Sequence, residues 1–154
     1  MRKAVFIFAL LTIVSCKHEQ NTSWFNAAKA GEYFSIVREI CDSDSGRLWG
    51  ENLFGPVMYV DGRSRTLYAN VPDKEGLLRE RDGVYSGILP KERIITNNVI
   101  EFGGVKYAMV PLPENEDRYR IVTRTVHSLF HSFQDRHDLK PSTISTRHLN
   151  EKNA

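Results

Sequence analysis

Val99-Ile-Glu-Phe-Gly-Gly-Val-Lys-Tyr-Ala-Met-Val110 holds two apolar-rich runs joined by the pair Gly103-Gly104. Residues two apart share a face in an extended chain, and paired glycines supply the positive φ angles of a tight hairpin turn. The stretch therefore predicts a β-hairpin. Pro111-Leu112-Pro113 closes it, because proline lacks the N–H that a sheet ladder needs. Upstream, Pro56-Val-Met-Tyr-Val60 and Arg65-Thr-Leu-Tyr-Ala69 flank Asp61-Gly62-Arg63-Ser64, a second hairpin with a four-residue turn. Val84 to Leu89, ended by Pro90, adds a further strand. The charged runs Lys74-Glu75 and Arg79 to Asp82 read as solvated loop. Outside this block the period becomes helical. Ser23 is placed to cap a helix reaching about Cys41, with Phe25, Ala28, Tyr33, Ile36, Val37 and Ile40 as its apolar positions. Asp42 to Gly46 then stops it as a solvated turn, too short and without the bidentate glutamate of a calcium loop. Hairpins bracketed by helices predict an α+β domain with an antiparallel sheet.

The N-terminus has a different character. Arg2-Lys3 precedes an apolar run from Ala4 to Val14, the layout of a secretory signal and too short for a spanning helix of about 20 residues. The run ends in Ile13-Val14-Ser15-Cys16. Residues 1–15 are thus expected to be a signal peptide, 16–22 a polar tether, and 23–154 one domain. Removing the signal takes away Arg2 and Lys3, so the 21 basic residues fall level with the 19 acidic ones. A neutral mature chain without a basic stripe gives no basis for nucleic-acid binding. Cys41 then remains as the one other cysteine, a small buried residue with no internal disulfide partner.

The second helix spans Tyr119 to Gln134 and runs on to about His137, with Ile121, Val122, Thr125, Val126, Leu129, Phe130 and Phe133 as its apolar face. His127 and His131 lie beside that face, four residues apart and so one turn above each other. Imidazoles at this spacing hold zinc in the H-E-x-x-H helix, but here the motif reads His127-Ser128-Leu129-Phe130-His131, with serine in the glutamate position. A zinc site needs a further ligand, and Asp135, His137, His148 and Glu151 are the candidates. His137 sits about 280° around the helix from His127, which turns it elsewhere. Ser128 and Ser132 adjoin histidines without an oriented acid or an oxyanion hole, which argues against a serine nucleophile.

Two resemblances extend these readings. Ile13 to Cys16 resembles the lipobox of bacterial lipoproteins, which implies cleavage before Cys16, acylation of that residue and an envelope location, at the outer membrane. Leu48-Trp49-Gly50, Phe54-Gly55-Pro56, Tyr68-Ala69-Asn70, Pro72-Asp73, Gly87 to Pro90, Pro111 to Pro113 and His127 to His131 with Gln134 occur in an order similar to a group of uncharacterised bacterial secreted or lipid-anchored proteins with a zincin-like core. That resemblance covers residues 48–150. It implies His127 and His131 as metal ligands, Ser128 at the general-base position, and Glu151 or Asn153 in the third-ligand region beyond His148-Leu149-Asn150. The base is missing and the family's chains continue further, so an inactive or truncated relative of a zinc peptidase is expected, incomplete at its C-terminus and retaining weak zinc binding. Its partners are the membrane through Cys16 and a peptide or envelope protein. Two alternatives are a metal-free binding or structural module and an active zinc hydrolase whose base comes from elsewhere.

Other features read as structure. Trp24, Trp49, Tyr59, Tyr68, Phe102 and Tyr107 are expected in the core rather than along a sugar or peptide groove, and Arg118 and Arg120 as surface charge.

Overall fold

A computed structural model describes residues 24–139. Ser23, Cys16, His148, Asn150, Glu151 and Asn153 lie outside the described residues, and so do the expected signal segment and tether. The elements run in the order α1 (Ala27–Asp44), β1 (Val57–Val60), β2 (Thr66–Ala69), β3 (Arg79–Arg81), β4 (Val84–Ile88), β5 (Val99–Phe102), β6 (Val105–Pro111) and α2 (Arg118–Arg136). The α+β expectation holds.

The six strands form one sheet in the order β3-β4-β2-β1-β6-β5. Both expected hairpins are present, β1 with β2 and β5 with β6. The expectation of an antiparallel sheet needs one correction, because β1 and β6 pair in parallel, Val57 opposite Ala108 and Tyr59 opposite Val110. Every residue of β1 is buried, as are Tyr107 to Val110 of β6. Strands that are apolar on both faces belong at the centre of a sheet, so the two hairpins join through these strands. The run Arg79 to Arg81, expected as loop, is an exposed edge strand paired with β4. Asp82 (φ 53°) and Gly83 (φ 75°) make its tight turn. Charged side chains suit an edge, since they discourage a further strand from adding.

The first helix starts later than expected. Asn26, not Ser23, caps it, accepting from Lys29 N at 3.0 Å. Phe25 then packs into the core against the rings of Tyr33, Tyr59 and Tyr68. The buried stripe is Ala30, Tyr33, Phe34, Val37 and Cys41, while Ala28 and Ile40 are exposed. Asp42 to Asp44 continue the helix, and Ser45 (φ 50°) ends it by donating its N–H to the carbonyls of Cys41 and Asp42.

Both faces of the sheet are covered. Helices α1 and α2 pack on one face over Val57, Tyr59, Val84, Ala108 and Val110. On the other, Met58, Leu67, Ala69, Tyr107 and Met109 lie beneath Val71, Leu78, Leu89 and Ile95 from the connections between strands. Tyr59, Phe102 and Tyr107 are core residues as expected, whereas Trp49 is 45% exposed and rests on Phe130, ring centroids 4.5 Å apart.

The loop carrying Leu78 is held by Asp73. Its carboxylate accepts from the backbone N–H groups of Glu75, Leu77 and Leu78 at 2.8 to 3.0 Å. Burial pushes this carboxyl up, but the backbone hydrogen bonds outweigh it and hold Asp73 below its ordinary range.

Candidate functional site

Helix α2 begins at the cap Asp117, whose side chain accepts from Arg120 N at 2.9 Å, and ends at His137. Its buried positions are Ile121, Thr125, Ser128, Leu129, Ser132 and Phe133. This is a rotation from the face expected from hydrophobicity, since Val122, Val126 and Phe130 are only partly buried. Small hydroxyl side chains at three inward positions let the helix approach the sheet, and each hydroxyl needs a partner there. Thr125 Oγ1 donates to Ile121 O at 2.7 Å and meets the Tyr59 hydroxyl at 3.2 Å. Ser128 Oγ donates to the Met109 carbonyl of β6 at 3.1 Å.

The rotation places the histidines on the outer side. His127 is exposed and His131 half-buried, with rings edge-on and centroids 4.4 Å apart. Their Nε2 atoms stand 2.9 Å from each other, and His131 Nδ1 stands 2.9 Å from Gln134 Oε1. An amide oxygen only accepts, so Nδ1 of His131 carries a proton, and in the neutral ring its Nε2 then presents a lone pair. His127 Nε2–H is then the donor between the two rings. Gln134 thus fixes the tautomer in which a histidine binds metal through Nε2. The relation between His131 and Gln134 was readable in sequence as a three-residue spacing, but the direction of the proton was not.

Two Zn–N bonds of about 2.0–2.1 Å at a tetrahedral angle place their nitrogens about 3.3 Å apart. The observed 2.9 Å is a hydrogen-bond separation between perpendicular rings, so holding one ion requires that bond to break and both nitrogens to turn toward a common point. The donor set is incomplete. Among the described residues no group of three or more His, Cys, Asp or Glu side chains converges on a point. Asp135 is paired with Lys106 at 2.7 Å, and His137 Nε2 lies 3.3 Å from Glu51, which Arg136 also binds. His137 therefore points elsewhere, as the helical angle predicts. Glu151 and His148 fall outside the described residues.

Ser128 is 0% exposed and its hydroxyl is engaged by the sheet, so it neither faces the histidines' outer side nor touches an imidazole nitrogen. The ring nitrogens of His131 are taken by His127 and Gln134. Among the described residues no serine–histidine dyad forms at this pair. Cys41 is a free buried thiol, and burial pushes it up to about 11.

Beside the pair, an open groove of about 540 Å³ runs between the edge strand β5 and α2, lined by Val99, Glu101, Lys106, His131, Gln134 and Asp135 among others. Sequence reasoning missed this groove, because it depends on which sheet edge the helix overhangs. No helix among the described residues is long and apolar enough to cross a membrane. No family model, no curated protein and no solved structure matches the chain.

Proposed function

We propose that the chain is a lipid-anchored protein of the bacterial envelope whose folded part is a non-catalytic relative of zinc peptidases, with His127 and His131 kept as a two-imidazole metal site. The observation that supports the metal-site part of this reading is the Nε2-to-Nε2 approach of 2.9 Å with His131 oriented by Gln134, and the anchor and the peptidase relationship rest on the sequence resemblances. In this reading the hydrogen bond between the rings opens, His131 Nε2 offers its lone pair, and His127 moves its proton to Nδ1 to do the same. Glu151 completes the set by the family resemblance, and Cys16 carries the anchor. A bound zinc ion would act as a Lewis acid on a water or carbonyl oxygen. General-base help is worth about 10² to 10⁴ in rate, and the residue in the base position is a serine turned into the core. Turnover is therefore absent.

The test is zinc content and affinity of the full chain beside the His127→Ala, His131→Ala double variant. One zinc per chain, lost in the double variant and bound about tenfold more weakly in Gln134→Ala, is the expected result. Zinc bound equally by all three proteins refutes the site. Peptide hydrolysis abolished by His131→Ala refutes the non-catalytic reading.

A specific observation favours a second reading. The two rings satisfy each other and Gln134 without any metal, so a metal-free binding module of the envelope needs no change in the pair. That reading predicts no zinc at stoichiometric level, with normal folding and unchanged partner binding in the double variant.

A further inference from the structure

Next to the histidine groove, but not lined by either histidine, a cavity of about 370 Å³ opens between α2 and the turn at Gly103-Gly104. Ser132 lines it. This residue is 8% exposed, and its Oγ has no hydrogen-bond partner among the described residues. A hydroxyl cut off from water and left unpaired is a donor in search of an acceptor. Three cations also line the cavity, Lys74, Lys106 and Arg136, against one carboxylate, Asp135. Arg136 is occupied by Glu51 and Lys106 by Asp135. Lys74 has no ion-pair partner among the described residues. Its backbone is held beside the turn. Its backbone N–H donates to Gly103 O at 2.8 Å, and its stem lies in ordinary van der Waals range of Gly104, where a Cβ would sit 3.5 Å from Lys74 Cδ. The rest of the lining is largely apolar, from Pro56, Val99 and Val105.

The geometry points to a binding site for a carboxylate carried on a short aliphatic body, with Ser132 Oγ–H turned into the cavity by a χ1 rotation to donate to one oxygen, Lys74 and Lys106 supplying the opposite charge, and the proline and valines enclosing the body. The Lys106–Asp135 pair is exposed on both sides, and an exposed ion pair holds its geometry weakly. Lys106 can turn from Asp135 to an arriving carboxylate at small cost. Phosphate fits less well, because it would lie against the apolar walls. The carboxylate can belong to a free short-chain acid or to the C-terminal end of a peptide.

The experiment is a titration of the full chain followed by backbone amide NMR, with butyrate, its neutral isostere butyramide, and N-acetyl-Ala-Val carrying a free carboxylate. Butyrate is expected to shift the signals of Gly104, Lys106 and Ser132, and butyramide to leave them in place. Tighter binding of the peptide acid than of butyrate identifies a peptide end as the source, and the reverse order identifies a free acid. Ser132→Ala removes an unpaired hydroxyl and so keeps the fold. It is expected to weaken butyrate about tenfold, the effect of one lost hydrogen bond to a charged group, and Lys74→Met a similar amount. His127→Ala is expected to bind butyrate like the native chain, which separates this site from the metal reading. Equal shifts with butyrate and butyramide, no shift with any probe, or native affinity in Ser132→Ala overturns the proposal.

Discussion

Ser128→Glu places between the two histidines the residue that an H-E-x-x-H helix carries there, and the fold predicts that it will not create a working base. Ser128 is 0% exposed and its hydroxyl is bonded to Met109 O at 3.1 Å. Glutamate there loses that hydrogen bond, worth about 1 kcal/mol. It puts one more methylene and a carboxyl in place of the hydroxyl at a packed helix–sheet interface, where overpacking costs about 1–3 kcal/mol. The carboxyl must also be buried without a cationic partner. It either remains ionised at a cost of several kcal/mol or takes up a proton and ceases to be a base. With the carboxyl ionised these come to about 5 kcal/mol or more, a large part of the about 5–15 kcal/mol that stabilises an ordinary domain. Urea unfolding followed by tryptophan fluorescence measures the loss, with Ser128→Ala as the control for the hydrogen bond alone, expected near 1 kcal/mol. A Ser128→Glu protein as stable as the native one, hydrolysing peptides in the presence of zinc, would refute the burial argument and the proposed loss of catalysis together.

Gly103→Ala should destabilise by about 2–3 kcal/mol in the same unfolding assay, because φ is 53° there and a Cβ would lie 2.6 Å from Asp73 Cβ. Asp73 also sets part of the acid limb of stability. Its carboxyl is held below the ordinary 3.8 in the folded chain, so the unfolded chain binds the proton more readily. The stabilisation is present above 3.8 and is lost as pH falls below that value through the folded pKa, and Asp73→Asn should flatten this part of a stability-versus-pH curve. For Cys41, displacement of the thiol from 9.0 to about 11 cuts its thiolate fraction at neutral pH about a hundredfold. Alkylation by iodoacetamide should be slow in buffer and fast in denaturant; equal rates would contradict the buried position.

The sequence by itself determined the local elements, because the information for them is local. Alternation around Gly103-Gly104 and around Asp61 to Ser64 specifies two hairpins, and helical spacing with a polar cap specifies α1 and α2. The histidine pair and its Gln134 neighbour were legible for the same reason, since residues three and four apart on a helix meet wherever that helix packs. Asp82-Gly83 is a hairpin signal too, but charged flanks hide it, and only pairing with β4 makes Arg79 to Arg81 a strand. Tertiary structure alone decided three matters. It joined the hairpins through a parallel β1–β6 contact, a choice among strand edges that no turn encodes. It brought Ser132, Lys74 and Lys106 to one cavity from distant parts of the chain. It also turned α2 so that Thr125, Ser128 and Ser132 face inward while larger apolar residues sit at the margin. Hydrophobicity ranks Val126 and Phe130 above serine for burial. Closeness of approach to β6 favours the smaller side chains, and the bonds from Ser128 to Met109 and from Thr125 to Tyr59 satisfy hydroxyls that burial would otherwise strand.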